Sequence, residues 1–396
     1  MPEIEHIVVV MQENHSFDNY FGVLGRGDGF ALDRQGQPIN VNANPNGGYV
    51  RAFHDTDSCE LHLVAASWNA SHIQFDNGRN DGFVRSGSGV WSMAYYDGRD
   101  IPFYYSLGKT FSLCDRYFCS VLAETYPNRR FLFAGTAFGL VKTDPSSITE
   151  DPPNGTIFDR LNAHGISWKV YVSGGSWFDV IASVPKNNPT HINNIGHFYA
   201  DAAAGHLPAV SYVNSNIATG TEENPRDIQL GEAFVSSVVQ AVMNGRGWSK
   251  TMLIWTYDEH GGYYDHVPPP PAVEPDDILP RITVPPDQLG AYDRYGFRVP
   301  TVVVSPLGRR DFVSHTIYDH TSILRTIERK WNLPAMTYRD ANAAGLWDCV
   351  DLKGAPAFLD PPILAAPANA TGIPHCSVVP PNRPPSDAFV ATRPHG

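Results

Sequence analysis

The chain has 396 residues, 42% of them hydrophobic and 18% charged, and a formal net charge of -12. That allows one large α/β domain with insertions, or two ordinary domains, around a sizeable core. It excludes a helical membrane span, because no apolar run approaches the ~20 residues needed to cross a bilayer, and a general binder of phosphate backbones, which would show a basic face, so nucleic acid is not an expected partner. The acidic balance suits a soluble protein that handles cations or small neutral-headed substrates.

The first element, His6 to Met11 (HIVVVM), has no polar–apolar alternation, which predicts a strand buried on both faces, as in a parallel sheet. It runs into Glu13, Asn14 and His15, at the carboxyl end where open α/β sheets bind ligands. The segment before it, MPEIE, puts two acids where a signal peptide needs positive charge, so the chain as written carries no export signal and reads as cytoplasmic. Gly25 to Val50 and Val267 to Leu289 are rich in Gly, Pro, Asn and Asp and too long for plain connections, which predicts ordered functional loops or lids.

In SVLAETYPNRRFLFAGT, Ser120 to Thr136, Pro127 fits the first turn of a helix that Asn128 to Phe133 continue. Thr125 then lies just before the helix N-terminus, where orphan N–H groups and the positive end of the helix dipole favour an alkoxide and a bound phosphate. The same position also suits an ordinary N-cap. Further buried strands are expected at Trp168 to Val172, Ala209 to Val213, Met252 to Trp255 and Thr301 to Val304, with helices at Gly231 to Met243 and Thr321 to Lys330. Strand and helix alternate as in a parallel, helix-covered sheet, so the class is α/β. The tail after Lys353 is Pro and Ala rich and is expected to drape over the surface. The five cysteines, Cys59, Cys114, Cys119, Cys349 and Cys376, form no CxxC pair, which predicts isolated buried thiols with one late disulfide such as Cys349 to Cys376.

The strand at Met252 ends like the first one, in Asp258, Glu259 and His260, followed by Gly261 and Gly262, which let the backbone turn sharply. Two strands that deliver acids to one sheet edge make a cation site natural, since crowded carboxylates repel unless a metal neutralises them. Glu13, Asn14, Asp258 and Glu259 are a hard-ligand set; capping a helix or pairing with arginine is the commoner fate of any one such acid.

Together IEHIVVVMQENHSFDNYFG, HIQFDNGRNDGF, LAETYPNRRFLFAGT, DIQLGEAFV, WTYDEHGGYYDHVPPP and YDHTSILRTIE resemble the bacterial phosphatidylcholine-type phospholipase C and acid phosphatase family, within the alkaline phosphatase superfamily. The resemblance implies an alkaline-phosphatase-like three-layer α/β/α sandwich with a mostly parallel central sheet over residues 1–353, with 354–396 as a Pro-rich tail on its surface. It implies one divalent ion, with Ca, Mg, Zn and Mn all open, held by Glu13, Asn14, Asp258 and Glu259 together with the nucleophile Thr125, and His72 in contact with the phosphoryl group. Relatives usually read Glu-His-Pro before the DIxxGEA helix, whereas this chain reads EENPRDIQLGEA. Asn224 thus stands where a phosphate-contacting histidine is expected, and it cannot act as an acid. His260 and His320 are the available substitutes. The partners implied are a phospholipid or small phosphoester and transient contact with a membrane surface, with no obligate protein partner. Relatives are often secreted.

The chemistry these residues allow is phosphoryl transfer through a phosphothreonine, on a diester such as phosphatidylcholine or, alternatively, on monoesters. An α/β-hydrolase would need a GxSxG elbow, which this chain lacks. A non-catalytic metal-binding module would have no use for the Thr125 hydroxyl. Trp68, Trp91, Tyr95, Tyr96, Tyr263 and Tyr264 are candidates for a cation–π box around a quaternary ammonium head group.

Overall fold

A computed structural model describes residues 4–175, 177–374 and 383–394. Its central sheet has eight strands: β1 (His6–Gln12), β2 (Ser112–Cys114), β3 (Trp168–Val172), β4 (Ile192–Asn194), β5 (Val210–Asn214), β6 (Thr251–Tyr257), β7 (Val302–Val304) and β8 (Val313–Ser314). Their order is β8-β2-β7-β6-β1-β5-β3-β4. The continuous apolar runs read from the sequence are β1, β3, β5, β6 and β7, and β1 and β6 at the centre are buried almost throughout. A strand covered on both faces has no reason to alternate.

The sheet is parallel except at β7, which runs antiparallel to both β6 and β2. The strand expected at Thr301 to Val304 is thus the antiparallel exception in a mostly parallel sheet. A parallel return needs a crossover element, usually a helix, and the segment between β6 and β7 contains none. Seven helices matter here: α1 (Phe17–Phe21), α2 (Trp68–Phe75), α3 (Pro102–Thr110), α4 (Thr125–Ala134), α5 (Ile195–Ala204), α6 (Ile228–Met243) and α7 (His320–Trp331). They pack in two sets, α3 and α5 on α6, and α4 on α7, as a layered α/β/α sandwich requires.

Register positions the site. β1 pairs in parallel with β6 from His6 opposite Thr251 to Gln12 opposite Tyr257, so the next residues, Glu13 and Asp258, leave the sheet side by side. The ladder continues one step further, with Asp258 N donating to Gln12 O at 3.1 Å.

Cys349 is a buried free thiol 3.6 Å from the Cys114 sulfur, which corrects the expected Cys349–Cys376 disulfide. Cys114 ends β2, both thiols are buried in the main core, and Cys376 lies outside the described residues. Cys59 is disulfide-bonded. The tail is tied down at Ala365, whose N–H donates to Ser106 Oγ, and at Phe389–Val390, which pairs with Tyr49–Val50. Among the described residues no helix is long and apolar enough to cross a membrane.

Candidate active site

At the carboxyl ends of β1 and β6 three acids are buried together: Glu13, Asp258 and Glu259. Arg129 of α4 reaches between the first two, its Nε 3.0 Å from Asp258 Oδ2 and its Nη2 3.2 Å from Glu13 Oε1. The arginine pairing that commonly claims such acids is therefore present, but one guanidinium faces three carboxylates. Burial and then the charge of Asp258 push the Glu13 and Glu259 carboxyls well above their ordinary range, and burial raises Asp258 against the pull of Arg129.

The unpaired donors fit a cation. Glu13 Oε2, Asn14 Oδ1 and His260 Nδ1 are buried without a hydrogen-bond partner, and a polar atom so placed is costly unless something binds it. The His260 tautomer is fixed from outside. Gln74 spends its Nε2 on Ala65 O and on the Ser86 and Ser88 hydroxyls, so its Oε1 accepts from His260 Nε2 at 2.7 Å. That leaves the Nδ1 lone pair 3.2 Å from Glu259 Oε2, an arrangement that repels unless a proton or a cation lies between them. Asn14 holds the left-handed φ of 69°, a strained conformation for a non-glycine residue, of the kind that clusters at functional sites. Gly261 packs so tightly on it that a Cβ would stand 2.0 Å from Asn14 O.

Among the described residues, two groups of three acid or histidine donor atoms close to within 4.8 Å, Asp18 with Asp265 and His266, and His54 with Asp97 and Asp100. Each already holds an arginine: Arg298 contacts Asp18 at 2.9 Å and Asp265 at 2.8 Å, and Arg99 contacts Asp97 at 2.6 Å. Neither leaves buried donors asking for a cation. Glu13, Asp258 and Glu259 are more widely spread, with Arg129 standing between two of them.

Thr125 is the first residue of α4, with Glu124 at the N-cap, one position further in than the sequence suggests. It is buried, and its hydroxyl makes no hydrogen bond to another described residue. Arg129 is four residues on, hence on the same helix face. Thr125 therefore lies one helical turn from the arginine that is fixed on Glu13 and Asp258.

The histidines separate. His320 donates from Nε2 to Asp258 O at 2.7 Å, and its Nδ1 is 3.2 Å from the Tyr117 hydroxyl. With both nitrogens engaged and burial pulling its pKa down to about 3, it acts here as a neutral bracket on the Asp258 backbone. Burial likewise brings His260 down to about 3. His72 donates from Nδ1 to Trp68 O and lines a cavity of about 600 Å³ with Phe75, Asp76, Arg85, Asp293 and Arg294. Its Nε2 would bond a phosphoryl oxygen only as the protonated ring, and burial, outweighing the Trp68 carbonyl and Asp293, holds its pKa below the ordinary histidine value. Asn224 lines a separate, smaller cavity with Asn14, Leu63, Val64, Glu223 and Gly261. Its amide is already committed: Nδ2 donates to His62 O and the Tyr263 hydroxyl, and that hydroxyl donates back to Asn224 Oδ1.

The aromatic box expected from sequence is not formed. Trp91, Tyr95, Tyr263 and Tyr264 are buried in one core cluster, Tyr96 in the main core and Trp68 in a third cluster, because burying ring area outweighs exposing it. Sequence reasoning missed four residues. Arg129 could have been found from its i+4 spacing to Thr125. Gln74 carried no local signal. Glu222 is fully buried and receives the Tyr20, Tyr104 and Tyr257 hydroxyls at 2.5 Å each, with Gln12 Nε2 at 3.2 Å, and it anchors the residues just before both acid clusters. Burial raises its pKa to about 7 against those hydrogen bonds. Glu223, its neighbour, is half-buried in the Asn14 cavity and, among the described residues, makes no side-chain hydrogen bond or ion pair.

Residues 4–334 match the Phosphoesterase family. The chain is 32% identical over 388 residues to phospholipase C A of Mycobacterium tuberculosis, covering 84% of this chain and 74% of that one. It is 30% identical over 379 residues to the non-hemolytic phospholipase C of Pseudomonas aeruginosa, covering 84% of this chain and 54% of that one. It is 28% identical over 374 residues to non-specific phospholipase C1 of Arabidopsis thaliana, covering 85% and 69%. Among solved structures, a protein in the alkaline phosphatase superfamily from Vibrio parahaemolyticus aligns over 81% of this chain and 76% of that one, at 11% identity and a TM-score of 0.41. The family match runs unbroken from the first strand through both acid-bearing strand ends to α7, and with it this chain belongs to the Phosphoesterase family, as an ester-bond hydrolase of phospholipase C type.

Proposed function

We propose that the protein hydrolyses phosphodiesters of the phosphatidylcholine kind through a phosphothreonine on Thr125, with one divalent cation held by Glu13, Asn14, Asp258 and Glu259. The observation that carries this reading is the free hydroxyl of a largely buried threonine at the first residue of a helix, one turn from an arginine fixed on the strand-end acids. A cation bound there would lower the pKa of that hydroxyl and offset phosphoryl charge. Thr125 Oγ1 attacks phosphorus in line, the P–O bond to the glycerol alcohol breaks, and water then hydrolyses the phosphothreonine to release phosphocholine. At the start of α4 the Thr125 N–H is the donor for a phosphoryl oxygen, since Tyr126 N–H is given to Thr143 Oγ1, Pro127 has none and Asn128 N–H bonds Glu124 O; His72 joins it only where the phosphoryl charge itself protonates the ring.

The departing alcohol needs a proton. His260 and His320 are buried, neutral and bonded elsewhere, and the Asn224 amide holds Tyr263. The available donor is Glu223, unpartnered in the same cavity as Asn14, with its pKa raised by burial and then by Asp258. Glu223→Gln should slow alkyl diesters by about 10²-fold and nitrophenyl diesters only slightly, because a poor leaving group needs the proton and a good one does not. Equal slowing of both would remove Glu223 from this role.

The test of the function itself is a release assay on phosphatidylcholine and on a simple aryl phosphate. Phosphocholine release exceeding phosphate release supports the diesterase. The reverse order makes the protein a broad monoesterase, and neither product from folded, metal-loaded protein leaves a non-catalytic metal-binding module.

A further inference from the structure

We infer that the rim around the start of α2 is the surface by which the protein settles on a zwitterionic phospholipid bilayer, an inference that rests on the lipid-diester reading above. Two stretches far apart in sequence expose large apolar side chains there. Leu61 and Leu63, just before α2, are 49% and 75% exposed. Leu279, Val284 and Leu289, in the long loop before β7, are 70%, 50% and 77% exposed. Single exposed leucines are ordinary and need no explanation. These are tied to one place.

Trp68, the first residue of α2, holds the second stretch. Its indole Nε1 donates to Gln288 O at 2.9 Å, Gln288 N donates to the neighbouring Asn69 Oδ1 at 2.8 Å, and Ile282 packs into the apolar cluster that contains Trp68. Leu289, next to Gln288, and Leu63 therefore flank a single helix start, and Val284 and Leu279 follow in the loop on either side of the packed Ile282. Leu63 and Leu289 also stand at the entrances to the site. Leu63 lines the small cavity shared by Asn14 and Glu223, and Leu289 lines the 600 Å³ cavity shared by His72. A lipid head group approaching the larger cavity passes Leu289, and acyl chains would cover the exposed apolar side chains that water now covers.

Charge selects the kind of membrane. The loop from Val273 to Leu289 carries Glu274, Asp276, Asp277 and Asp287 against one cation, Arg281, whose guanidinium is already paired with Glu150 at 2.9 Å. The stretch before α2 adds Asp57 and no lysine or arginine, its Glu60 being buried and paired with His62, and in the cavity beside Leu289 the cations Arg85 and Arg294 are matched by Asp76 and Asp293. Such a rim repels anionic lipid and complements a surface whose outermost groups are quaternary ammonium.

Leu61, Leu279 and Val284 line neither cavity, so their replacement probes the surface and not the site. The experiment compares wild type with the Leu61→Asp, Leu279→Asp, Val284→Asp triple variant in sedimentation with phosphatidylcholine vesicles and with phosphatidylglycerol vesicles. Turnover of a monodisperse short-chain diester and the melting temperature are measured beside it. Wild type should prefer phosphatidylcholine vesicles, and the variant should bind them at least about tenfold more weakly, with melting unchanged and soluble turnover within about twofold. The inference is overturned if wild type and variant sediment alike, if wild type prefers the anionic vesicles, or if the rim instead joins two copies of the chain in a dimer that the variant dissociates. Wild type that cleaves the soluble diester without binding vesicles sinks the surface alone. Wild type that binds vesicles but cleaves no diester keeps the surface and sinks the phospholipase reading.

Discussion

Thr125→Ala is expected to lower diester turnover by about 10⁴-fold or more while the fold melts nearly as before. The hydroxyl makes no hydrogen bond to another described residue, and Glu124, not Thr125, is the N-cap, so the loss to stability should not exceed the roughly 1 kcal/mol of a lost cap. The chemical loss has no such bound, because the covalent pathway needs that oxygen. Acid quenching of wild type during turnover should trap a phosphothreonine that the variant cannot form. Purified Thr125→Ala with near wild-type rates would remove the covalent mechanism.

The second large effect concerns the cation. Active protein should hold one divalent ion per chain by elemental analysis, and Asp258→Asn or Glu259→Gln should lose both ion and activity. Chelated protein should also show a definite pH dependence. The Glu13 and Glu259 carboxyls are raised above their ordinary 4.5 in the folded chain, and Asp258 above 3.8. Over the interval between the unfolded and folded values the folded state binds more protons than the unfolded one, so stability falls as pH rises. The loss is on the order of 1.4 kcal/mol per pH unit for each carboxyl protonated only in the folded chain. The contribution is fully present below about pH 4 and is lost progressively above it, and adding the cation should restore melting near neutral pH. A chelated protein whose melting temperature is flat or rising between pH 5 and 8, or an active protein free of metal, would refute the site.

The acids could be found in the sequence because of how parallel strands are built. β1 and β6 are covered on both faces, so each reads as an unbroken apolar run, and the polar residues that follow mark its carboxyl end. β2, β4 and β8 escaped because two or three residues carry no period. Composition marked the loop from Val267 to Leu289 as more than a connection, but not that it is pinned to Trp68 beside the cavities.

Local order determined the α/β class, the strand ends bearing Glu13–Asn14 and Asp258–Glu259, and the helix start at Thr125, because each follows from contacts between residues close in the chain. That β1 lies beside β6 in a register that leaves Glu13 next to Asp258 depends on strand pairing across nearly the whole sequence, which no local pattern encodes. The same long-range packing put Arg129 between those acids, spent the Asn224 amide on Tyr263, left Glu223 unpartnered, turned β7 antiparallel and drew the aromatic residues into the core. A side chain's partner is set by whichever distant element the fold brings against it, so its role in this site belonged to the tertiary structure alone.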